Sequence, residues 1–282
     1  MRELKVRLDS ADSGIRGEAI GQLNSLSAEA SYETGQAAIA MCCAGLRRPS
    51  AFVNAESLQP VLSDLLPRFL RQMGTYGGAD LRRAELMNAA FDECDLPGAD
   101  FTGARFFGNT SFAKSKLVGA RLVGCTTGTG TVFAGAELAG AQLAGLIAEK
   151  ANFTGADLKH ADFTAAKLWR AQFSLAVAPG AVLVGSDLYG ADLSGADLRG
   201  ANLAGARLDD AELNEGRNDC GTDLRGANLA GASFKGARLI RTDLRGANLA
   251  GANLEEAHAV FGVQLQGAIL AGAKFSTGSV SF

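Results

Sequence analysis

The chain has 282 residues, among them 36 glycines, 5 prolines and 5 cysteines, and its 27 basic and 30 acidic side chains leave a net charge of −3. A charge this close to zero argues against a basic nucleic-acid binder, and no apolar run reaches the 18 residues of a membrane-spanning helix. Five cysteines without pairing spacings fit a reducing compartment, and the charged start MRELKVRLDS is unlike a secretory signal. We therefore expect a cytoplasmic protein with no membrane contact and no direct nucleic-acid contact.

Residues 1–74 carry helical patterns. One apolar stripe follows a cap at Asp12 and Ser13, and a second helix is predicted from Tyr32 to Arg47. The third stripe is the clearest, with an i, i+3, i+4, i+7 face formed by Leu58, Val61, Leu62, Leu65, Leu66, Phe69, Leu70 and Met73. We predict that this α-helical segment caps the structure that follows it. A separate partner-binding domain is the alternative.

From about residue 79 the helical pattern gives way to a sequence repeat with a period of five residues. The stretch TDLRGANLAGA occupies 222–232 and returns letter for letter at 242–252. Within it a leucine recurs every five residues in units of the form A-(D/N)-L-x-x, which is neither the helical period of 3.6 nor the strand period of 2. If each unit forms one side of a coil, four units complete a turn of 20, and residues 20 apart stack.

The central residues of the units sort into columns when one extra residue is allowed at four places: after Phe106, Thr127, Asn218 and Ala259. One column then predicts a core ladder of phenylalanines, interrupted by three leucines: Phe91, Phe112, Phe133, Phe153, Phe173, Leu193, Leu213, Phe234, Leu254 and Phe275. The opposite column is wholly apolar: Leu81, Phe101, Leu122, Leu143, Phe163, Leu183, Leu203, Leu224, Leu244 and Leu265. The extra residues either relieve strain at the corners or shape a recognition surface.

The A-(D/N)-L-x-x beat resembles the pentapeptide-repeat family. The resemblance implies an all-β solenoid over 75–282, a right-handed quadrilateral β-helix of about ten coils. It also implies that the central residue and the small residue two before it point inward. A helical cap would cover the strand edges and the apolar cross-section of the first coil.

The residues offer little for catalysis. His160 and His258 lie about five coils apart, no His/Cys cluster has the spacing of metal ligands, and the recurring aspartates occupy outward structural positions. The glycine-rich stretch GCTTGTGTVFAG lacks the Gly-Lys-(Ser/Thr) ending of a phosphate-binding loop. We therefore predict no enzyme activity, no cofactor and no metal.

Some members of the pentapeptide-repeat family protect DNA gyrase from quinolones or other poisons by resembling duplex DNA. Ten coils at about 4.8 Å each would make a rod of about 48 Å. A DNA duplex of that length would carry on the order of 28 negative charges. Residues 75–282 hold 22 acidic and 19 basic side chains, and no basic stripe with interleaved exposed aromatic residues is visible in the sequence. A non-enzymatic scaffold that binds an unidentified protein is therefore the leading interpretation, and a gyrase-binding DNA mimic is the alternative.

Charge is unevenly distributed along the repeats. Residues 187–215 hold seven acidic against two basic side chains, and 217–245 hold six basic against three acidic ones. This polarity suits a protein partner with complementary patches. The candidate interaction patch comprises Asp187, Asp192, Asp197, Asp209, Asp210 and Glu212. We also predict a homodimer joined through the C-terminal coils, because open strand edges invite pairing.

Overall fold

The computed structural model describes residues 18–22, 25, 38–39, 42–43, 55–214, 221–258 and 262–276. It contains one long helix, α1 (Ala55–Met73), and five short strands: β1 (Glu85–Met87), β2 (Arg105–Phe107), β3 (Thr126–Thr127), β4 (Asn253–Leu254) and β5 (Lys274–Phe275). The described residues of the first two predicted helices are helical, and their other residues lie outside the described ranges.

Parallel pairing between residues one turn apart builds the rest of the chain. Strands β1, β2 and β3 form one parallel ladder and β4 pairs with β5, while single parallel bridges join the remaining units. Asp157, for example, bridges Val177, which in turn bridges Asp197. Each five-residue unit contributes one such contact, so the chain winds into a β-helix whose successive coils lie about 4.8 Å apart.

The five-residue period comes from a tight turn at the end of each unit. The last residue of a unit adopts a left-handed backbone conformation, as at Gly195 (φ 66°) and Gly185 (φ 61°). Glycine adopts this conformation at least cost, which explains why it recurs every five residues. Other residues tolerate it here as well, among them Arg170 (φ 55°).

Four inward columns form the core, and we name each by its first residue: Tyr76, Leu81, Leu86 and Phe91. In the Phe91 column the rings of Phe91, Phe112, Phe133, Phe153 and Phe173 stack with centroids 4.9–5.1 Å apart and planes within 5° of parallel. Phe101 and Phe163 of the Leu81 column meet this stack edge-on. Stacked and edge-on geometries are both favourable for pairs of aromatic rings. The ladder therefore also fixes the positions of Phe101 and Phe163 in the neighbouring column.

The register corrects the predicted ladder beyond residue 213. Asp192 bridges Glu212 at the usual step of 20, but Asp197 bridges Asp223 at a step of 26. The chain therefore inserts six residues between these two sides, where the sequence predicted one. The insertion coincides with 215–220, which lie outside the described residues.

As a result, the phenylalanines after the insertion belong to another column. Arg207 bridges Ser233, so Phe234 stacks above Leu208 in the Leu86 column, and Phe275 follows it through the pairing of β4 with β5. The placement of Phe234 and Phe275 in the Phe91 ladder is therefore wrong. The predicted opposite column shifts likewise, because Asn202 bridges Asn228 and Leu229 replaces Leu224 above Leu203. Steps of 21 elsewhere match the one-residue slips predicted after Phe106, Thr127 and Ala259.

Helix α1 lies against the first coil. Its apolar side chains Leu62, Leu65, Leu66, Phe69 and Leu70 are fully buried. Three polar contacts accompany this packing: the Met87 amide donates to Ser63 Oγ (3.2 Å), Arg71 donates to the carbonyl oxygen of Ala90 (2.6 Å), and the Cys94 thiol points at the Pro67 carbonyl (3.7 Å). The Ala90 carbonyl oxygen, which would accept a hydrogen bond from a preceding coil, thus finds its donor on the helix.

A small void lies in the middle of the β-helix. It measures about 10 Å³ and its lining includes Ala178, Phe173 and Leu193. Ala178 holds a central position in the Tyr76 column, between Leu158 and Leu198, where a leucine would fill the space. The void therefore marks one coil whose centre carries a smaller side chain than its neighbours.

We expect Ala178→Leu to raise the free energy of unfolding by about 0.5–2 kcal/mol, as cavity-filling changes commonly do. The matched control is Ala201→Leu at a fully buried corner position with no void beside it. Overpacking there should lower stability by about 1–3 kcal/mol. Urea melts of both variants measure the difference, and destabilisation by Ala178→Leu would contradict the packing described for this coil.

Candidate functional site

The outward side chains form four faces, each beside one inward column. In every unit the residue before the centre and the two residues after it point outward, and the next unit lies around a corner. We call the faces the Tyr76 face, the Leu81 face, the aromatic face (beside the Leu86 column) and the Phe91 face. Residues that bridge one another, such as Lys167, Asp187 and Arg207, lie one above the other on a single face.

The predicted acidic patch is spread over three of these faces. Asp187, Asp209 and Asp210 lie on the aromatic face or its corner, Asp192 and Glu212 on the Phe91 face, and Asp197 on the Tyr76 face. Neighbours in sequence diverge because consecutive units turn a corner. The structure therefore does not bring the six residues together as one surface.

Arginine side chains form ion pairs with several of these aspartates and so neutralise part of their negative charge. Arg199 makes two hydrogen bonds to Asp197 (2.8 and 2.7 Å), and these bonds hold the pKa of Asp197 below its usual value. Arg207 contacts Asp209 at 2.8 Å and Asp187 at 3.5 Å. Burial alone would raise the pKa of Asp209, but hydrogen bonds from Ser233 and Arg207 outweigh it and lower that pKa. The local negative charge is smaller than the sequence count suggests.

The repeated eleven-residue stretch builds two adjacent faces of different chemistry. On the Tyr76 face, Asp223–Arg225 and Asp243–Arg245 repeat the pairing of Asp197 with Arg199, and arginines also reach the aspartate one coil further along at 3.5–3.8 Å. On the Leu81 face, Asn202, Asn228 and Asn248 form a ladder of side-chain hydrogen bonds of 3.0 and 3.3 Å. Both arrangements satisfy their polar groups within the chain.

Two of the predicted acids line an open groove of about 500 Å³. Asp210 and Glu212 lie there with Gly236, Arg238, Ile240 and His258. Arg238 Nε is 3.4 Å from Glu212 Oε2, so the groove carries an internal ion pair. In this groove Asp210 and Glu212 of one coil face Arg238 of the next.

The aromatic face was missed by sequence reasoning. Apart from Tyr76 and Phe275, which pack on the core, all aromatic side chains of the described repeats that are not buried lie on it: Phe107, Trp169 and Tyr189. Each has a cation over its ring: Arg105 at 4.9 Å, Lys167 at 5.7 Å and Arg207 at 4.7 Å. This clustering of aromatic rings and cations on one face was not among the predictions from the sequence. The signal was present as the step of 20 from Trp169 to Tyr189.

A family model describes the same repeats. The model of pentapeptide repeats matches the chain in eight copies, over residues 77–108, 129–159, 156–195, 191–216 and 221–258. The chain belongs to the pentapeptide-repeat family. The right-handed β-helix of this family is therefore its fold. Among curated proteins no match was found.

Three solved pentapeptide-repeat structures are similar to the chain. HetL of the cyanobacterium Nostoc sp., involved in regulation of heterocyst differentiation, is 32% identical over 73% of this chain and 93% of its own, with a TM-score of 0.49. Rfr23 of the cyanobacterium Cyanothece is 32% identical over 47% and 90% (TM-score 0.29). A trypsin-treated variant of QnrB1, a plasmid-mediated fluoroquinolone resistance protein, is 21% identical over 60% and 92% (TM-score 0.34).

The described part of this pentapeptide-repeat chain shows no cluster of reactive groups. No group of three or more His, Cys, Asp or Glu among the described residues could hold a metal ion. Burial raises the pKa of the Cys94 thiol to about 11 and that of Cys125 to about 12, so neither is a ready nucleophile. None of the helices in the described ranges combines the length and apolar character needed to cross a bilayer.

Proposed function

We propose that the chain is a non-enzymatic scaffold that binds protein through its aromatic face. In this proposal residues 1–74 cap the solenoid through α1, residues 75–282 form about ten coils, and the protein works in the cytoplasm. The carrying observation is that Phe107, Trp169 and Tyr189 share one face with basic partners. Tryptophan, tyrosine and arginine are the residues that most often dominate binding energy at protein interfaces.

A photo-crosslinking experiment tests this proposal. A benzophenone amino acid replaces Trp169 in the protein made in its own cells, and the same amino acid replaces Ala230 as control. Ala230 holds the same position within a unit but lies on the Leu81 face, one coil beyond Asn202. We expect protein adducts at 169 and few at 230. Equal labelling at both positions, or no adduct at 169, would contradict the proposal.

The gyrase-binding DNA mimic remains the alternative function. Its support is the Phe91 face, where Asp192 bridges Glu212 and accepts a hydrogen bond from the Ser174 hydroxyl (2.5 Å), so that two carboxylates are stacked on successive coils. Its weakness is the compensation of Asp187, Asp197 and Asp209 by arginines. The homodimer through the C-terminal coils likewise stays a prediction.

A supercoiling assay separates the two functions. Purified gyrase is inhibited by a quinolone with and without several-fold excess of the protein, and we expect no rescue. Rescue that is lost in Asp192→Asn/Glu212→Gln, but kept in the control Asp157→Asn on the Tyr76 face, would establish the DNA-mimic function instead. The two variants remove charge without removing hydrogen-bonding side chains, because amides retain an acceptor oxygen.

A further inference from the structure

The two halves of the aromatic face carry opposite net charges, so an antiparallel second copy would place each half against one of opposite sign. Its midpoint lies between the coils of Trp169 and Tyr189. From 85 to 170 the face carries four basic and two acidic side chains, and from 187 to 276 it carries three basic and five acidic ones. The two halves therefore have net charges of equal size and opposite sign.

We infer that the occupant of this face is a second copy of the chain, packed antiparallel about a two-fold axis that crosses the face between Trp169 and Tyr189. This inference rests on the proposed function, since it names the protein that the aromatic face binds. Such an axis makes an isologous contact, in which each patch meets its own counterpart and growth stops at the dimer. This contact by itself therefore forms no filament.

The register determines which side chains would meet. Lys167 and Asp187 occupy equivalent positions on the two coils beside the axis, so each lysine faces the aspartate of the other copy. Trp169 meets Tyr189 in the same way, and one coil further out Lys150 meets Asp210. At the ends of the face, Glu85 lies opposite Lys274. Complementary charges at matched positions fix the register of an interface more than they strengthen it.

One matched pair carries like charges, and the chain already compensates it. Glu149 would face Asp209 of the other copy. Within each copy Glu149 lies 3.6 Å from Lys150 and Asp209 lies 2.8 Å from Arg207. Both carboxylates therefore enter the contact with a cation beside them, which reduces their repulsion.

The four central coils of the face, from Ile147 to Arg207, keep a constant step of 20. The change of step from 20 to 26 arises after Leu213, between a unit of the Phe91 column and a unit of the Tyr76 column. Partly exposed Trp169 and Tyr189 supply the apolar centre of the contact. Contact along the face would bury on the order of 500 Å² from each copy, at the small end of specific interfaces. We therefore expect a dimer with a dissociation constant on the order of micromolar.

Sedimentation of the purified full chain tests the dimer. Between low and high micromolar concentrations the mass should rise from 29.0 kDa towards twice that value. Trp169→Ala and Lys167→Glu should each weaken association about tenfold or more, because they remove the central contact or oppose two carboxylates. Lys159→Glu, an exposed lysine on the Tyr76 face, is the control and should leave it unchanged.

A charge exchange gives the sharpest result. Asp187→Lys alone should weaken the dimer, and Lys167→Glu together with Asp187→Lys should restore it, because the pair across the axis is re-formed with its signs exchanged. Thermal melts check that every variant folds. A monomer at all concentrations, or a dimer indifferent to Trp169→Ala and to both charge reversals, would overturn the inference. Crosslinking at 169 to a different protein by a monomeric chain would overturn it while leaving the proposed function intact.

Discussion

Phe153→Ala should lower the free energy of unfolding by about 3–5 kcal/mol, the usual cost of removing a buried aromatic ring. Phe153 is fully buried and stacks between Phe133 and Phe173, with centroids 4.9 Å away on each side. Its edge also meets Phe163 at 5.6 Å. The substitution therefore leaves a cavity that two coils share, and neither can close it without breaking its backbone pairing.

Lys159→Ala provides the matched control in the next unit along the chain. Its ammonium group lies 3.2 Å from Asp157, and the lysine side chain is 50% exposed. Exposed ion pairs of this kind contribute less than about 1 kcal/mol. Urea melts of the two variants should differ several-fold in their loss of stability. Equal small losses would show that residue 153 does not point into the core.

Phe69→Ala should have the second large effect. It should lower the free energy of unfolding of the N-terminal end by about 3–5 kcal/mol. Phe69 is fully buried where α1 lies against the first coil, whereas Arg68 on the same helix is exposed and pairs with Asp64 at 2.7 Å. Arg68→Ala is therefore the control and should be nearly neutral. A solenoid is stabilised mainly by contacts between adjacent coils, so the effect of Phe69→Ala should be concentrated at the N-terminal end.

Hydrogen exchange distinguishes local from global loss in the Phe69 variant. The amide of Met87, which donates to Ser63 Oγ of α1, should exchange faster, and amides around Phe153 should keep their protection. Such a pattern would support the proposed capping role of the helix. Unchanged exchange at Met87 would contradict it and favour a separate domain for residues 1–74.

The candidate site shows where sequence reasoning was limited. The acidic residues between 187 and 212 are close in sequence, but units five residues apart turn a corner and point in different directions. Trp169 and Tyr189 lie 20 residues apart, which is one full turn, and therefore stand on neighbouring coils of one face. Residues that share a face are those one full turn apart, so a surface could be predicted only after the register was known.

The sequence by itself determined the period of five, the inward position of the central residues, the stacked phenylalanines from Phe91 to Phe173 and three of the four irregular corners. These features are local, because each unit repeats its own turn and its own buried side chain. Only the tertiary structure decided the size of the insertion after Leu213. An insertion of one residue and an insertion of six leave the same five-residue beat, and apolar side chains point inward in both. The two alternatives differ only in which residues of successive coils pair with each other. The backbone pairing of Asp197 with Asp223 decides between them, and it places Phe234 and Phe275 in the Leu86 column.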